Sequence, residues 1–150
     1  MLIVETKNFE KKDVKFSTRQ EGEDRTKISA ILNNEKIGSV TLELNLNSYW
    51  YFEDDFSEEK YEEMFPDDMF VKIEHIEIND IFKGQGIAKK LMKLAIQKSK
   101  QLGYNRIYLN ASPMGFSGLK LNDLVQFYKD FGFKEILNQG RNIQMLLTLS

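Results

Sequence analysis

Lys83-Gly84-Gln85-Gly86-Ile87-Ala88 is the stretch whose residue types and spacing point most directly to chemistry. Two glycines one residue apart let the backbone turn sharply and approach an anion closely, because neither carries a Cβ. A lysine-rich amphipathic segment follows, and a helix start there offers unpaired N–H groups at the positive end of the macrodipole. Lys89, Lys90 and Lys93 fall in its first turns, where a cation is disfavoured by about 0.3–1 kcal/mol. A bound polyphosphate would compensate them; alternatively they only solubilise the outer helix face. Two familiar phosphate loops do not fit. The Walker A loop needs a terminal Gly-Lys-Ser/Thr, which is absent, and the dinucleotide fingerprint needs a third glycine where Lys89 stands.

Composition removes several other chemistries. The 150 residues include no cysteine and one histidine, which excludes a disulfide framework, a thiolate zinc site, a cysteine nucleophile and a multi-histidine metal site. No metal is therefore expected. A net charge of −2 argues against non-specific nucleic-acid binding. No apolar run reaches the roughly 20 residues of a membrane span, and the first residues do not read as a signal peptide. The expectation is a soluble, cytoplasmic protein with one domain over residues 1–150. Its charge is unevenly spread: residues 48–69 hold nine acids against Lys60, a balance of −8 that leaves +6 elsewhere. Tyr49, Trp50, Tyr51 and Phe52 open this acidic insert, either to cover a sheet edge or to hold a cationic group by stacking and charge.

The elements that must position these residues follow from periodicity. Strands are expected at 13–20, 26–32 and 36–46, with a hairpin through Asn33-Asn34-Glu35. A short helix is expected around 57–64 and a strand at 70–78. A long helix runs from Ile87, with Ala88, Leu91, Leu94, Ala95 and Leu102 on its apolar face and Gly103 as its stop. A strand at 106–111 and a helix from an Asn122 N-cap to about Phe131 come next, then an antiparallel pair at 133–137 and 143–149. The order β-β-β-(insert)-β-α-β-α-β-β predicts an α+β fold, a mixed sheet flanked by helices. Strict alternation would put Glu74 and Glu77 on opposite faces of their strand, with His75 on the face of Glu77.

Two motifs together resemble the GNAT superfamily of acetyl-CoA-dependent N-acetyltransferases. Lys83-Gly84-Gln85-Gly86-Ile87-Ala88 is similar to the family's Arg/Gln-x-x-Gly-x-Gly/Ala turn, with lysine at the first position. Phe127-Tyr128-Lys129-Asp130-Phe131-Gly132-Phe133 is similar to its second signature, aromatic/Leu-Tyr-x-x-x-Gly-Phe. The resemblance covers residues 70–137 and implies a mostly antiparallel sheet whose central strands, 70–78 and 106–111, splay apart. Two departures stand out: only about Gln20–Arg25 separates the first two strands, where the family commonly has two helices, and the acidic insert precedes the core strand instead.

The resemblance also implies roles. Amides of Gln85, Gly86, Ile87 and Ala88, with Lys83, Gly84 and Lys89 beside them, would hold the pyrophosphate of acetyl-CoA. Main-chain groups of Ile76 and Ile78 would pair with the pantetheine amides, and the N–H of Ile78 could polarise the thioester carbonyl. Asn122 stands where the family often has an asparagine touching the cofactor, and it reads equally as an N-cap. Tyr128 would protonate the departing thiolate; on residue type alone it is also a core residue beside Leu124, Val125 and Phe131. An amine acceptor must lose a proton to attack, and Glu74 is the first choice of base, with Glu77, His75 or a water chain as alternatives. The expected function is acetyl transfer to an amine, on a small molecule or a protein, in a ternary complex; members of the superfamily are often homodimers, and the sequence itself does not set the oligomeric state. A non-catalytic acyl-CoA-binding module that engages a protein partner is the competing reading.

Overall fold

The Asn33-Asn34 turn fixes the first hairpin. Both asparagines adopt left-handed backbone, φ 52° and 65°, which asparagine tolerates better than bulkier residues, and Leu32 is set opposite Glu35. The structure, a computed structural model, describes residues 13–52, 54–79, 84, 86–113 and 120–149. Strands β2 (Arg25–Leu32) and β3 (Glu35–Asn47) form this hairpin, and β1 (Lys15–Gln20) pairs antiparallel with β2. After two short helices, α1 (Ser48–Phe52) and α2 (Glu58–Met64), comes β4 (Met69–Ile78). Helix α3 (Ile87–Gln101) leads to β5 (Arg106–Ala111), and α4 (Leu121–Lys129) to β6 (Lys134–Asn138) and β7 (Ile143–Thr148). The element order is the expected one, and the α+β class holds.

The seven strands form one sheet in the order β1-β2-β3-β4-β5-β7-β6, antiparallel everywhere except between β4 and β5. Its two faces differ. Val40, Leu42, Val71, Ile73, Ile107, Leu109 and Met145 point to one side, where Leu91, Met92 and Ala95 of α3 and Leu124, Val125 and Tyr128 of α4 pack on them. Phe70, Tyr108 and Leu146 point to the other side and meet Phe52 of α1, Tyr61 and Met64 of α2, and Phe65. Phe52 is fully buried, stacked on Phe65 at 5.1 Å and edge-on to Tyr108 at 4.9 Å.

Several local expectations are corrected. Helix α1 was not legible, because five residues with three exposed or half-exposed aromatics carry no helical period. The expected helix around 57–64 is α2, capped by the Ser57 hydroxyl accepting from the Lys60 N–H at 3.3 Å. In α3, Leu102 is 44% exposed because the helix ends at Gln101 and Leu102 is its C-cap; Met92 takes a core place instead. Asn122 is not the N-cap of α4. That position is Lys120, in extended backbone without a side-chain cap, and the helix stops at Lys129 rather than at Phe131.

Candidate active site

Both glycines of the turn have a backbone that glycine adopts most freely. Gly84 and Gly86 lie at φ 78° and 81°, the left-handed region that a side chain makes costly, by about 1–2 kcal/mol. Among the described residues a Cβ at Gly84 would meet nothing within 4 Å, and its backbone conformation is what favours glycine there. Gly86 is the N-cap of α3 and makes no side-chain cap bond, and the first i→i−4 bond runs from the Lys90 N–H to the Gly86 carbonyl at 3.1 Å. The amides of Ile87, Ala88 and Lys89 therefore precede the helical ladder. Ile87 is buried and Ala88 half-buried, anchoring the helix start, while Lys89, Lys90 and Lys93 are exposed. Lys83, Gln85, the loop interior 114–119 and the His75 side chain lie outside the described residues.

The helix start sits at the end of an opening in the sheet. β4 and β5 are paired at Val71–Ile107, Lys72–Tyr108 and Ile73–Leu109, and there the ladder ends. β4 continues along β3 to Ile78, and β5 continues along β7 to Ala111. From Glu74 onward the β5 side of β4 is thus unpaired among the described residues, as the expected splay requires. Ile78 lies opposite Gly38, where an added Cβ would come within 3.5 Å of Ile87 Cγ2, so the first residue of α3 is beside the far end of β4.

A β-bulge sets the side chains of β4. Thr41 is opposite His75 and Leu42 opposite Ile73, which leaves Glu74 as the extra residue. The bulge resets alternation, so Val71, Ile73, Ile76 and Ile78 all join the aliphatic core. It also overturns the expected placement of the two glutamates. Glu77 is opposite Ser39, which alternation puts on the face of Thr41 and Glu43, and Glu74 shares the Arg25 guanidinium with Glu43. Glu74 and Glu77 therefore share a face, Glu77 exposed and Glu74 half-buried.

Glu74 lies in a charged cluster built by three strands. Arg25 Nη2 is 3.1 Å from Glu43 Oε1 and 3.4 Å from Glu74 Oε2. The hydrogen bond with Glu43 raises Glu74 above the ordinary carboxyl range; burial and the Glu43 charge add to this, while Arg25 and Lys72 oppose it. The same hydrogen bond with Glu74 lowers Glu43, helped by Arg25 and Lys72 against burial. Burial works against the charge on Lys72, but the Tyr51 hydroxyl and the fields of Glu43 and Glu74 outweigh it and hold its ammonium above the ordinary lysine value. The Tyr51 ring lies 5.5 Å from Lys72 Nζ and 5.6 Å from the Tyr108 ring, so α1 closes one end of the cluster. Tyr49 and Trp50 stand exposed on its outer side.

Tyr128 comes from the opposite face, in α4. It is 7% exposed, packs at 5.4 Å from Phe127 and 5.9 Å from Phe133, and burial pushes its phenol above the ordinary tyrosine value. The phenol is accordingly protonated at neutral pH. Asn122 is exposed on the first turn of α4. Sequence reasoning missed Arg25, Glu43 and Lys72 as neighbours of Glu74, since only strand register brings them together. Among the described residues no group of three or more His, Asp or Glu side chains is placed to hold a metal, and no helix is long and apolar enough to cross a membrane.

Comparison with known proteins bears on this arrangement. No curated protein matches the chain by sequence. Solved structures do resemble it in fold. Arabidopsis thaliana NAA60, solved with a bisubstrate analogue, aligns at TM-score 0.61 and 18% identity over 86% of this chain and 78% of its own. An Elizabethkingia anophelis GNAT family acetyltransferase with acetyl-CoA bound aligns at 0.60 and 17%, over 93% of this chain and 100% of its own. The PaiA N-acetyltransferase of Thermoplasma acidophilum, in complex with coenzyme A, aligns at 0.58 and 16% over 83% of this chain, which spans 61% of that protein. The sequence itself matches the profile described as Acetyltransferase (GNAT) family across residues 3–133. This chain belongs to the GNAT acetyltransferase family.

Proposed function

We propose that the protein is an N-acetyltransferase that moves an acetyl group from acetyl-CoA directly to a primary amine in a ternary complex, with residues 1–150 acting as one domain. The observation that carries this reading is the sheet opening past Ile73–Leu109, with the left-handed glycine turn and uncapped start of α3 at the end of β4. These features suit acetyl-CoA: an extended amide-bearing arm meets a free strand edge, and a pyrophosphate meets helix-start amides. When bound, acetyl-CoA supplies the acetyl group as a thioester. The amides of Gln85, Gly86, Ile87 and Ala88 hold the phosphates, with Lys83, Gly84 and Lys89 at the same turn. Main-chain groups of Ile76 and Ile78 orient the pantetheine arm, and Asn122 contributes from α4. Glu74 takes the proton that the amine must lose, and Tyr128 delivers a proton to the departing sulfur. The cytoplasm is the proposed location.

Two measurements test this. Calorimetry should detect acetyl-CoA binding to the purified protein, and absence of binding removes the reading. A mass-spectrometric screen of an amine library and host proteome should then find acetylated products. Tight binding without transfer to any amine favours a non-catalytic acyl-CoA-binding module that engages a protein partner.

A further inference from the structure

Glu74 is tied to two residues that the proposed reaction has not used. One guanidinium nitrogen, Arg25 Nη2, reaches carboxyl oxygens of both Glu43 and Glu74, at 3.1 and 3.4 Å. Both carboxyl groups are thus gathered on one guanidinium nitrogen, and each is the largest influence on the other's protonation. Two ionised carboxylates have only acceptors, so a hydrogen bond between them exists only when one holds a proton. When both are ionised they repel, and Arg25 and Lys72 are the charges that balance them. The bulge creates this pairing, because Glu74 has no partner residue on β3 and lies diagonal to Glu43, which is itself opposite Lys72. Among the described residues, the charged and titratable groups on this face near Glu74 are Arg25 from β2, Glu43 from β3 and Lys72 from β4, with Tyr51 of α1 on Lys72 and Glu77 exposed further along β4. The Arg25 side chain is 50% exposed, against 19% for Glu74, so the cluster is open to solvent on the arginine side.

We propose that Glu43 and Arg25 are positioning residues that hold Glu74 as one half of a proton-sharing carboxyl pair, and that the pair receives the proton of an acceptor ammonium. This rests on the reading of Glu74 as the base. In the step, an N–H bond of the ammonium breaks and its electron pair remains on nitrogen as the attacking lone pair. The proton forms an O–H bond on Glu74, donated in turn to Glu43. The doubly ionised pair, balanced by Arg25 and Lys72, is the base, and the singly protonated pair is its conjugate acid. The acid limb of the rate profile then belongs to the pair rather than to one residue.

The test combines the pH dependence of kcat/KM for acetyl transfer with carboxyl-carbon NMR titration of Glu74 in protein free of acetyl-CoA. Glu43→Gln removes the proton-sharing partner and offers Glu74 an amide donor, so the acid limb and the NMR titration both move down by about one pH unit. Arg25→Gln removes a balancing charge, so both move up; Arg25→Lys, which keeps the charge, returns them toward the wild type. Opposite shifts from Glu43→Gln and Arg25→Gln are the signature, since a merely structural role would lower rates without moving the limb in two directions. Unmoved Glu74 titrations in both variants overturn the pairing, even where Glu74→Gln abolishes transfer and the base assignment stands. Wild-type turnover and an unchanged profile in Glu74→Gln overturn the base assignment, and this inference with it.

Discussion

The two faces of the sheet contrast in chemistry and in cover. One is aliphatic and closed along its length by α3 and α4. The other is aromatic where α1 and α2 cover β4, β5 and β7, and ionic where β2, β3 and β4 carry Arg25, Glu43, Lys72 and Glu74. Aliphatic packing needs no partner beyond shape, so two helices suffice to seal it. Charged groups lose hydration when covered, so leaving that part of the sheet open avoids a cost of several kcal/mol per ion. In the proposed reaction the closed face carries the groups that serve the donor, at the start of α3 and on α4, and the open face serves the acceptor.

That division can be broken by substitution. The largest effect is expected at Phe52, the buried hub of the aromatic cluster: Phe52→Ala should cost about 3–5 kcal/mol in urea unfolding. Acetyl-CoA affinity of the folded fraction should be unchanged, and a parallel loss of affinity would mean that the two faces do not divide the work. Tyr128→Phe should lower kcat by about 10²–10⁴-fold, the range of general acid catalysis, with little change in acetyl-CoA affinity. Full turnover at saturating acceptor would return Tyr128 to a purely packing role. Gly86→Glu puts a carboxylate and a Cβ on the left-handed helix cap. Calorimetry should show acetyl-CoA binding weakened about 100-fold, as expected from losing two charge-assisted hydrogen bonds at about 1.5 kcal/mol each. The smallest effect is expected at Trp50, which is 72% exposed. Trp50→Ala should change stability by less than about 0.5 kcal/mol, and a several-fold rise in KM confined to cationic acceptors would sharpen the assignment of the open face.

Much of the scaffold was legible because its signals are local. The asparagine turn, the glycine pair before Ile87 and the Phe127–Phe133 signature each act through a few consecutive residues, and each lies where the pattern put it. The cluster around Glu74 was not legible, because register decides it. Counting outward from the Asn33-Asn34 turn puts Arg25 opposite Leu42, but an irregularity at Ala30 and Ile31 shifts the pairing by one, to Glu43. The bulge at Glu74 then defeats alternation in β4, so the face shared by Glu74 and Glu77 could not be read from spacing. Such one-residue slips leave little trace in composition. Asn122 failed for a different reason: a good capping residue was present, but α4 begins at Leu121, two residues too early for it to cap.

The three-pair seam between β4 and β5 has a consequence for how the domain is held together. It joins two half-sheets, β1–β4 and β5–β7, that are each antiparallel throughout. A ligand laid along the opening would act as a removable strand, adding cross-links that the chain leaves unmade. Occupancy and resistance to unfolding then become one quantity, and a ligand held at 100 times its Kd would add about 2.7 kcal/mol to the folded state. A gap that admitted the substrate would thereby also be a place where the substrate does structural service.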